Sequence, residues 1–202
     1  SDNGQFISSA LSGTQQFYNQ AKYQNTTNPY SETFFDGSPL NLAIEASAPG
    51  NDWKEGITNE HTIKNEYKLI ENSDQVYNFQ VSLSSSNTPT LVNNGFFEIE
   101  GQTQGVFKAP TLYTFITKNE NWKSSDGDNN TVHTFKDYRG RVILSRKFDN
   151  NVRHDTYTIY DAYGNVSFIL PPKVIISDGI STTELAELCY QYKYDAKNRI
   201  IE

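Results

Sequence analysis

A mainly β fold, made of antiparallel hairpin repeats in a curled sheet, is what this sequence predicts, and three observations carry the prediction. A turn phrase recurs three times: Asp137-Tyr138-Arg139-Gly140-Arg141-Val142, Asp161-Ala162-Tyr163-Gly164-Asn165-Val166 and Asp195-Ala196-Lys197-Asn198-Arg199-Ile200. Apolar residues alternate after it, as in Val142, Leu144 and Phe148, then Val166, Phe168 and Leu170. The composition is rich in Tyr and Phe, with 13 and 12 copies among 202 residues, and aromatic residues favour pleated, half-buried surfaces. A phrase reiterated within one chain marks repeated supersecondary units.

The phrase has a local physical logic. Its Asp can accept hydrogen bonds from backbone N–H groups two residues on. Three residues later stands Gly140, Gly164 or Asn198, the residue types that take a positive φ at least cost. Alternation with period two then sets each flank as a strand, with the turn joining antiparallel partners. Clear repeats span 133–148, 155–171 and 189–202. The Asp-to-Asp spacing grows from 24 to 34 residues between the second and third turns. The insertion holds Ser181-Thr182-Thr183-Glu184, a capping-box spacing ahead of Leu185 and Leu188, which predicts one short helix over 182–188.

Upstream the elements are less marked. Residues 1–27 form a polar segment, either a loose helix or an irregular surface stretch. Thr33–Phe35 and Leu40–Glu45 read as a strand pair around Asp36-Gly37-Ser38-Pro39, a shortened copy of the turn. Ala48 to Trp53 reads as a loop. His61–Glu71 and Val76–Ser84 read as two strands across Glu71-Asn72-Ser73-Asp74. The Ser/Asn/Thr/Pro stretch from Ser84 to Asn94 reads as a flexible excursion. Phe96–Glu100 and Leu112–Lys118 read as further strands, and Asn119–Asn130 as a polar loop. The whole of 28–202 is taken as one β-rich region.

The ring-Asp…Gly-Arg/Asn-Val phrase resembles the YD repeat of RHS-repeat proteins. Asn28 to Gly37, Tyr160 to Pro172 and Glu187 to Glu202 are similar to the large surface or secreted RHS proteins of Bacteroidetes. Three departures stand out: Lys136 replaces the ring before Asp137, Asn198 replaces Gly, and the Asp36 copy is short. The resemblance implies hairpins wound into a spiralling β-shell that encloses and helps deliver a C-terminal polymorphic toxin. It implies a secreted or cell-surface setting on a Gram-negative bacterium. The implied partners are flanking repeats and the cargo of the same protein, with secretion machinery or a glycan as further candidates. Cell-surface adhesion or glycan binding is the alternative function. The self-cleaving aspartyl motif of toxin-bearing members is not found here, so no catalytic residue carries over. With no Met and an end just past the third turn, the chain reads as an internal fragment of a longer protein.

Charge and motif inventory narrow the chemistry. A net charge of −7 gives no reason to track nucleic-acid phosphates. No apolar run approaches the ~20 residues that span a bilayer. The single cysteine, Cys189, has no intrachain disulfide partner and reads as a small buried residue. His61, His133 and His154 lack metal-ligand spacing and read as ordinary strand histidines. No Gly-x-Ser-x-Gly elbow, phosphate loop or His-Glu-x-x-His is found. Asp126, Asp128 and Asn130 have the oxygen spacing of a calcium loop, but Thr131 stands where that loop needs Gly, so a solvated turn is the expectation. Arg139, Arg141, Arg146, Lys147 and Arg153 are expected on a solvated face. The repeat tyrosines are expected as cross-strand ladders rather than a sugar platform. No enzyme activity and no cofactor are expected; the residues singled out are the turn positions Asp137, Gly140, Asp161, Gly164, Asp195 and Asn198.

Overall fold

The computed structural model describes residues 7–57, 60–97, 112–177 and 179–202. Its elements are antiparallel strands joined by tight turns, with two short α-helices, as the alternation predicts. They fall into two units: Ser1–Glu66 with Thr117–Asp126, and Tyr67–Ile116 with Gly127–Glu202.

The first unit opens on helix α1 (Ala10–Tyr18), which buries no residue. Helix propensity alone does not hold so short an exposed helix. It is pinned instead by the Tyr30 hydroxyl donating to the Leu11 carbonyl and by Gln15 Nε2 donating to the Thr27 carbonyl at 3.0 Å. Phe17, Tyr18 and Tyr23 gather with ring centroids 4.9 to 5.5 Å apart. Strands β1 (Glu32–Phe35) and β2 (Ala43–Ser47) pair antiparallel, and β2 pairs with the start of β3 (Ile63–Leu69). Their connection is the shortened turn. Asp36 accepts from the N–H groups of Ser38 and Leu42, each at 3.0 Å, so it closes a loop two residues wider than the later copies. Lys64 ties Glu45 and Glu60 at 2.7 and 2.5 Å.

In the second unit the main sheet runs β6 (Leu112–Lys118), β7 (Thr131–Asp137), β8 (Val142–Asp149), β9 (Val152–Tyr160), β10 (Val166–Leu170) and β11 (Tyr190–Gln191). Strand β7 shows the two-residue period directly: Thr131, His133, Phe135 and Asp137 are buried and the residues between them are not. Strands β4 (Tyr77–Leu83) and β5 (Pro89–Phe96) form a separate two-stranded sheet. It packs on β9, where Phe79 meets the Tyr157 ring at 5.3 Å. The core between them holds Leu112, Phe135, Leu144, Tyr157, Ile159, Phe168 and Leu170, all buried. Each such side chain contributes about 1.5–3 kcal/mol by leaving water. Helix α2 spans Thr182–Leu188, with the capping box formed by Ser181 and Glu184 as expected.

The two strands read across Glu71–Asp74 are present as β3 and β4, unpaired with each other, and two other expectations need correction. A 3-10 turn at Asn72–Asp74, closed by a Glu71–Asp74 capping box and left-handed Gln75, turns the chain so that β4 pairs with β5. The stretch from Ser84 to Asn94 is not an excursion. Ser84, Ser86 and Thr88 hydroxyls knit a tight turn, and Pro89–Phe96 is strand β5. Arg146 is not solvated: it is 3 % exposed, because its guanidinium finds two acceptors inside. Of the strand expected at Phe96–Glu100, residues 98–100 lie outside the described residues.

Candidate functional site

The three turns have one geometry. In each, the Asp Oδ1 accepts from the N–H of the second residue on: Arg139, Tyr163 and Lys197, all at 2.9 Å. It also accepts from the fourth: Arg141 at 2.9, Asn165 at 2.8 and Arg199 at 3.0 Å. The third residue takes a positive φ, of 79° at Gly140, 93° at Gly164 and 58° at Asn198. The Asp Oδ2 accepts from the side chain of the fourth residue: Arg141 Nη2 at 2.7 Å, Asn165 Nδ2 at 3.0 Å, Arg199 Nη2 at 2.6 Å. Burial pulls the Asp137 carboxyl up, but the Arg141 N–H and guanidinium outweigh it and hold the group below the usual carboxylate range. The Arg199 guanidinium and N–H likewise hold Asp195 low.

Successive turns are stitched together by the tyrosine before each Asp. The Tyr160 hydroxyl donates to the Val142 carbonyl at 3.1 Å, and the Tyr194 hydroxyl to the Val166 carbonyl at 2.8 Å. Each acceptor is the fifth residue after the preceding Asp. Burial, countered in part by Arg141, raises the Tyr160 hydroxyl pKa; burial also raises that of Tyr194. The Arg141 guanidinium lies 4.5 Å over the Tyr160 ring, and Asn165 Nδ2 reaches Asn198 Oδ1 at 3.3 Å. Lys136, which stands where the tyrosine would be in the first copy, sits 4.4 Å over the Phe115 ring instead.

Two clefts follow the same repeat. The first, about 430 Å³, is lined by Asp137, Ile143, Tyr160, Asp161 and Ala162. The second, about 300 Å³, is lined by the equivalent Asp161, Ser167, Tyr194, Asp195 and Ala196. Strand β4 forms the facing wall, with Phe79 to Val81 at the first and Leu83 at the second. Arg141 Nη1 is buried at the first cleft with no hydrogen-bond partner.

The remaining residues singled out in the sequence are dispersed. Asp126 belongs to the first unit and accepts from the Lys123 N–H at 3.0 Å. Asp128 and Asn130 belong to the second, where Asp128 lies 3.6 Å from His133 Nε2. No group of three or more His, Cys, Asp or Glu among the described residues could hold a metal ion. His61 shares a hydrogen bond with the Glu120 carbonyl at 3.0 Å. His133 is buried and its pKa is pushed down, by desolvation first, against the pull of Asp128. Cys189 is half-buried against the core, and burial pushes its thiol up. Neither tie centred on Arg146 was read from sequence: its Nε and Nη2 donate to Asp155 at 2.8 and 2.9 Å, and its Nη1 to the Asp74 carbonyl at 2.8 Å. The tyrosine stitches were missed as well, although the constant Tyr-Asp pair in the second and third copies was their signal. Among the described residues no helix is long and apolar enough to cross a membrane.

A family model described as a domain of unknown function (DUF6443) matches residues 1–69. No curated protein and no solved structure matches the chain.

Proposed function

We propose that this chain is a structural segment of an RHS/YD-repeat β-shell that encloses, and helps deliver, a C-terminal toxin or effector of a secreted or surface protein of a Gram-negative bacterium. The observation that supports it is the reiterated turn with its tyrosine stitch. Each hairpin hands a backbone carbonyl to the next, a means of adding units that buries one sheet edge at every step. The proposed role is non-enzymatic. The partners are flanking repeats and the enclosed cargo, with secretion machinery as a further candidate.

Limited proteolysis of the polypeptide that carries this segment tests the proposal. With the segment intact, the C-terminal cargo region resists protease. With Tyr160→Phe and Tyr194→Phe together, cleavage there speeds up. A cargo region cut equally fast in both forms, or the lack of any variable domain downstream, overturns the proposal. A second reading, adhesion through glycan binding, is favoured by Tyr138 and Tyr163, which stand about 70 % exposed beside the turns. A glycan array with no hit above background removes it.

A further inference from the structure

We propose that the third turn is an open docking end. Its Ile200 carbonyl and Arg199 guanidinium receive the tyrosine of one further Tyr-Asp hairpin of the same polypeptide, and do not receive a second copy of this chain. The inference rests on the repeat reading proposed above and names the atoms that take the next unit.

The direction of the Ile200 carbonyl follows from hairpin register. In the third copy the Asp195 N–H donates to the Arg199 carbonyl and the Ile201 N–H to the Lys193 carbonyl, each at 2.9 Å. These bonds flank the Tyr194–Ile200 bridge. The bridged residues therefore exchange no bond and turn their N–H and C=O groups away from each other. The earlier copies are built alike. Asp137 N–H donates to the Arg141 carbonyl at 3.0 Å, and Asp161 N–H to the Asn165 carbonyl at 2.9 Å, beside the pairs Lys136–Val142 and Tyr160–Val166. In both, the outward carbonyl is the one the next tyrosine takes: Val142 from Tyr160, Val166 from Tyr194. Ile200 holds the same place, the fifth residue after its Asp, and among the described residues no donor meets its carbonyl.

The surroundings repeat as well. Arg141 lies over the Tyr160 ring at 4.5 Å, and its side chain is 28 % exposed. Arg199 grips Asp195 in the same way at 2.6 Å, yet its side chain is 71 % exposed. Val142, Ile143, Val166 and Ser167 are half-buried or buried, whereas the equivalent Ile200 and Ile201 are 63 % and 59 % exposed. The acceptor, the cation for a ring and an apolar strand edge are thus in place for a third stitch. It is the interface already present twice in this chain, carried one unit further. A second copy of the chain has no free tyrosine before a turn aspartate. Its Tyr160 and Tyr194 are engaged in their own stitches, Lys136 stands before Asp137, and Phe35 stands before Asp36 of the shortened turn. A fresh Tyr-Asp hairpin supplies the hydroxyl.

The test lengthens the 202-residue chain by repeating its own residues 145–170 directly after Glu202. Ile200-Ile201-Glu202 then stands where Val142-Ile143-Leu144 stands, and the added copy of Tyr160 falls 18 residues after its acceptor, as the original does. Nuclear magnetic resonance of the Arg199 Hδ protons reads the ring, and the carbon shift of the Ile200 carbonyl reads the hydrogen bond. In the 202-residue chain Arg199 gives an unstacked signal. In the lengthened chain it moves upfield toward that of Arg141, and the Ile200 carbonyl moves downfield. Tyr160→Phe made in the added copy alone keeps the ring but lowers the docking constant about fivefold, the loss of one hydrogen bond. An Arg199 signal that stays in place, whether or not the added copy folds, overturns the proposal, as does equal docking by the Tyr and Phe forms. So does an Arg199 shift that grows with the concentration of the unlengthened chain, which marks a second copy as the occupant. A cargo region protected from protease while Arg199 stays unmoved sinks this docking end alone; a moved Arg199 with unprotected cargo sinks only the enclosing role.

Discussion

Asp161→Ala is the substitution that most directly weighs the reiterated turn. Asp161 is 6 % exposed. It accepts from the N–H groups of Tyr163 and Asn165 at 2.9 and 2.8 Å and from Asn165 Nδ2 at 3.0 Å. Removing the carboxylate strands two backbone donors in a place water reaches poorly, and each bond to a charged acceptor contributes about 1.5 kcal/mol or more. The expected loss is about 3 kcal/mol, which lowers the melting temperature of a chain of this size by roughly 6–12 °C. Asp161→Asn keeps an oxygen in place and should cost about 1 kcal/mol. Asp195→Ala breaks the same backbone bonds where water can replace them, and should cost less than Asp161→Ala. Both tryptophans, Trp53 and Trp122, lie in the first unit. Near-UV circular dichroism of the tyrosines is therefore the assay, not tryptophan fluorescence. Equal melts for Asp161→Ala and Asp195→Ala, or a loss under about 0.5 kcal/mol for the first, would show that the turn is held by something other than its aspartate.

Other expected outcomes concern the backbone, the stitch and pH. Gly164→Val should cost about 1–3 kcal/mol, since a β-branched residue is strained at φ 93°, whereas Ala162→Val at an exposed turn position should be near neutral; equal thermal melts would refute this. Tyr160→Phe and Tyr194→Phe should each cost about 1 kcal/mol, and Tyr163→Phe, exposed beside the same turn, close to nothing, as read by urea midpoints. Asp137 is held low when folded, so its contribution is full above its unfolded pKa of about 3.9 and fades as pH falls through the lower folded value; Asp137→Asn should flatten that acid limb. His133 is also held low when folded, but as a base it is favoured neutral: its contribution is full above about pH 6.5 and shrinks below it. His133→Gln should remove that slope, and an unchanged stability profile between pH 7 and 5 would refute the assignment.

The turns were legible in the sequence because their demands are local. An acceptor at one position and a tolerant φ three residues later are both visible within a six-residue phrase. Helix α2 was legible for the same reason, through Ser181 and Glu184. Pairing was not. Alternation along Val76–Ser84 tells which residues share a face, but not which strand lies alongside, and β4 took β5 rather than β3. Arg146 looked like a surface cation because its acceptors are remote: Asp155 is nine residues away and the Asp74 carbonyl 72. A charge buried this way is costly unless both partners are in place. Removing Asp155 alone should therefore harm the chain more than removing Arg146 and Asp155 together. The clefts were invisible for a related reason, as each combines one hairpin end with the next and with a wall supplied from far upstream.

Beyond the β8–β9 ladder and the shared core, a few polar atoms link one repeat to the next, and their chemistry says which positions tolerate change. The acceptor in each stitch is a main-chain carbonyl, at Val142 and Val166, so its own side chain is free to change. The donor is a tyrosine hydroxyl, which no aliphatic residue replaces. The fourth turn position needs only to reach the aspartate, and Arg141, Asn165 and Arg199 all do. Each gives its neighbour something different: Arg141 covers the Tyr160 ring, and Asn165 reaches Asn198. The ten extra residues between the second and third turns change the path of the chain but not the stitch, since Tyr194 still meets Val166 across 28 residues of sequence. The spacing that matters is therefore measured through space from one turn to the next. Residues inserted between Pro171 and Ser181 should leave the Tyr194–Val166 bond intact, while a single residue inserted between Tyr194 and Asp195 should break it by moving the ring off its carbonyl.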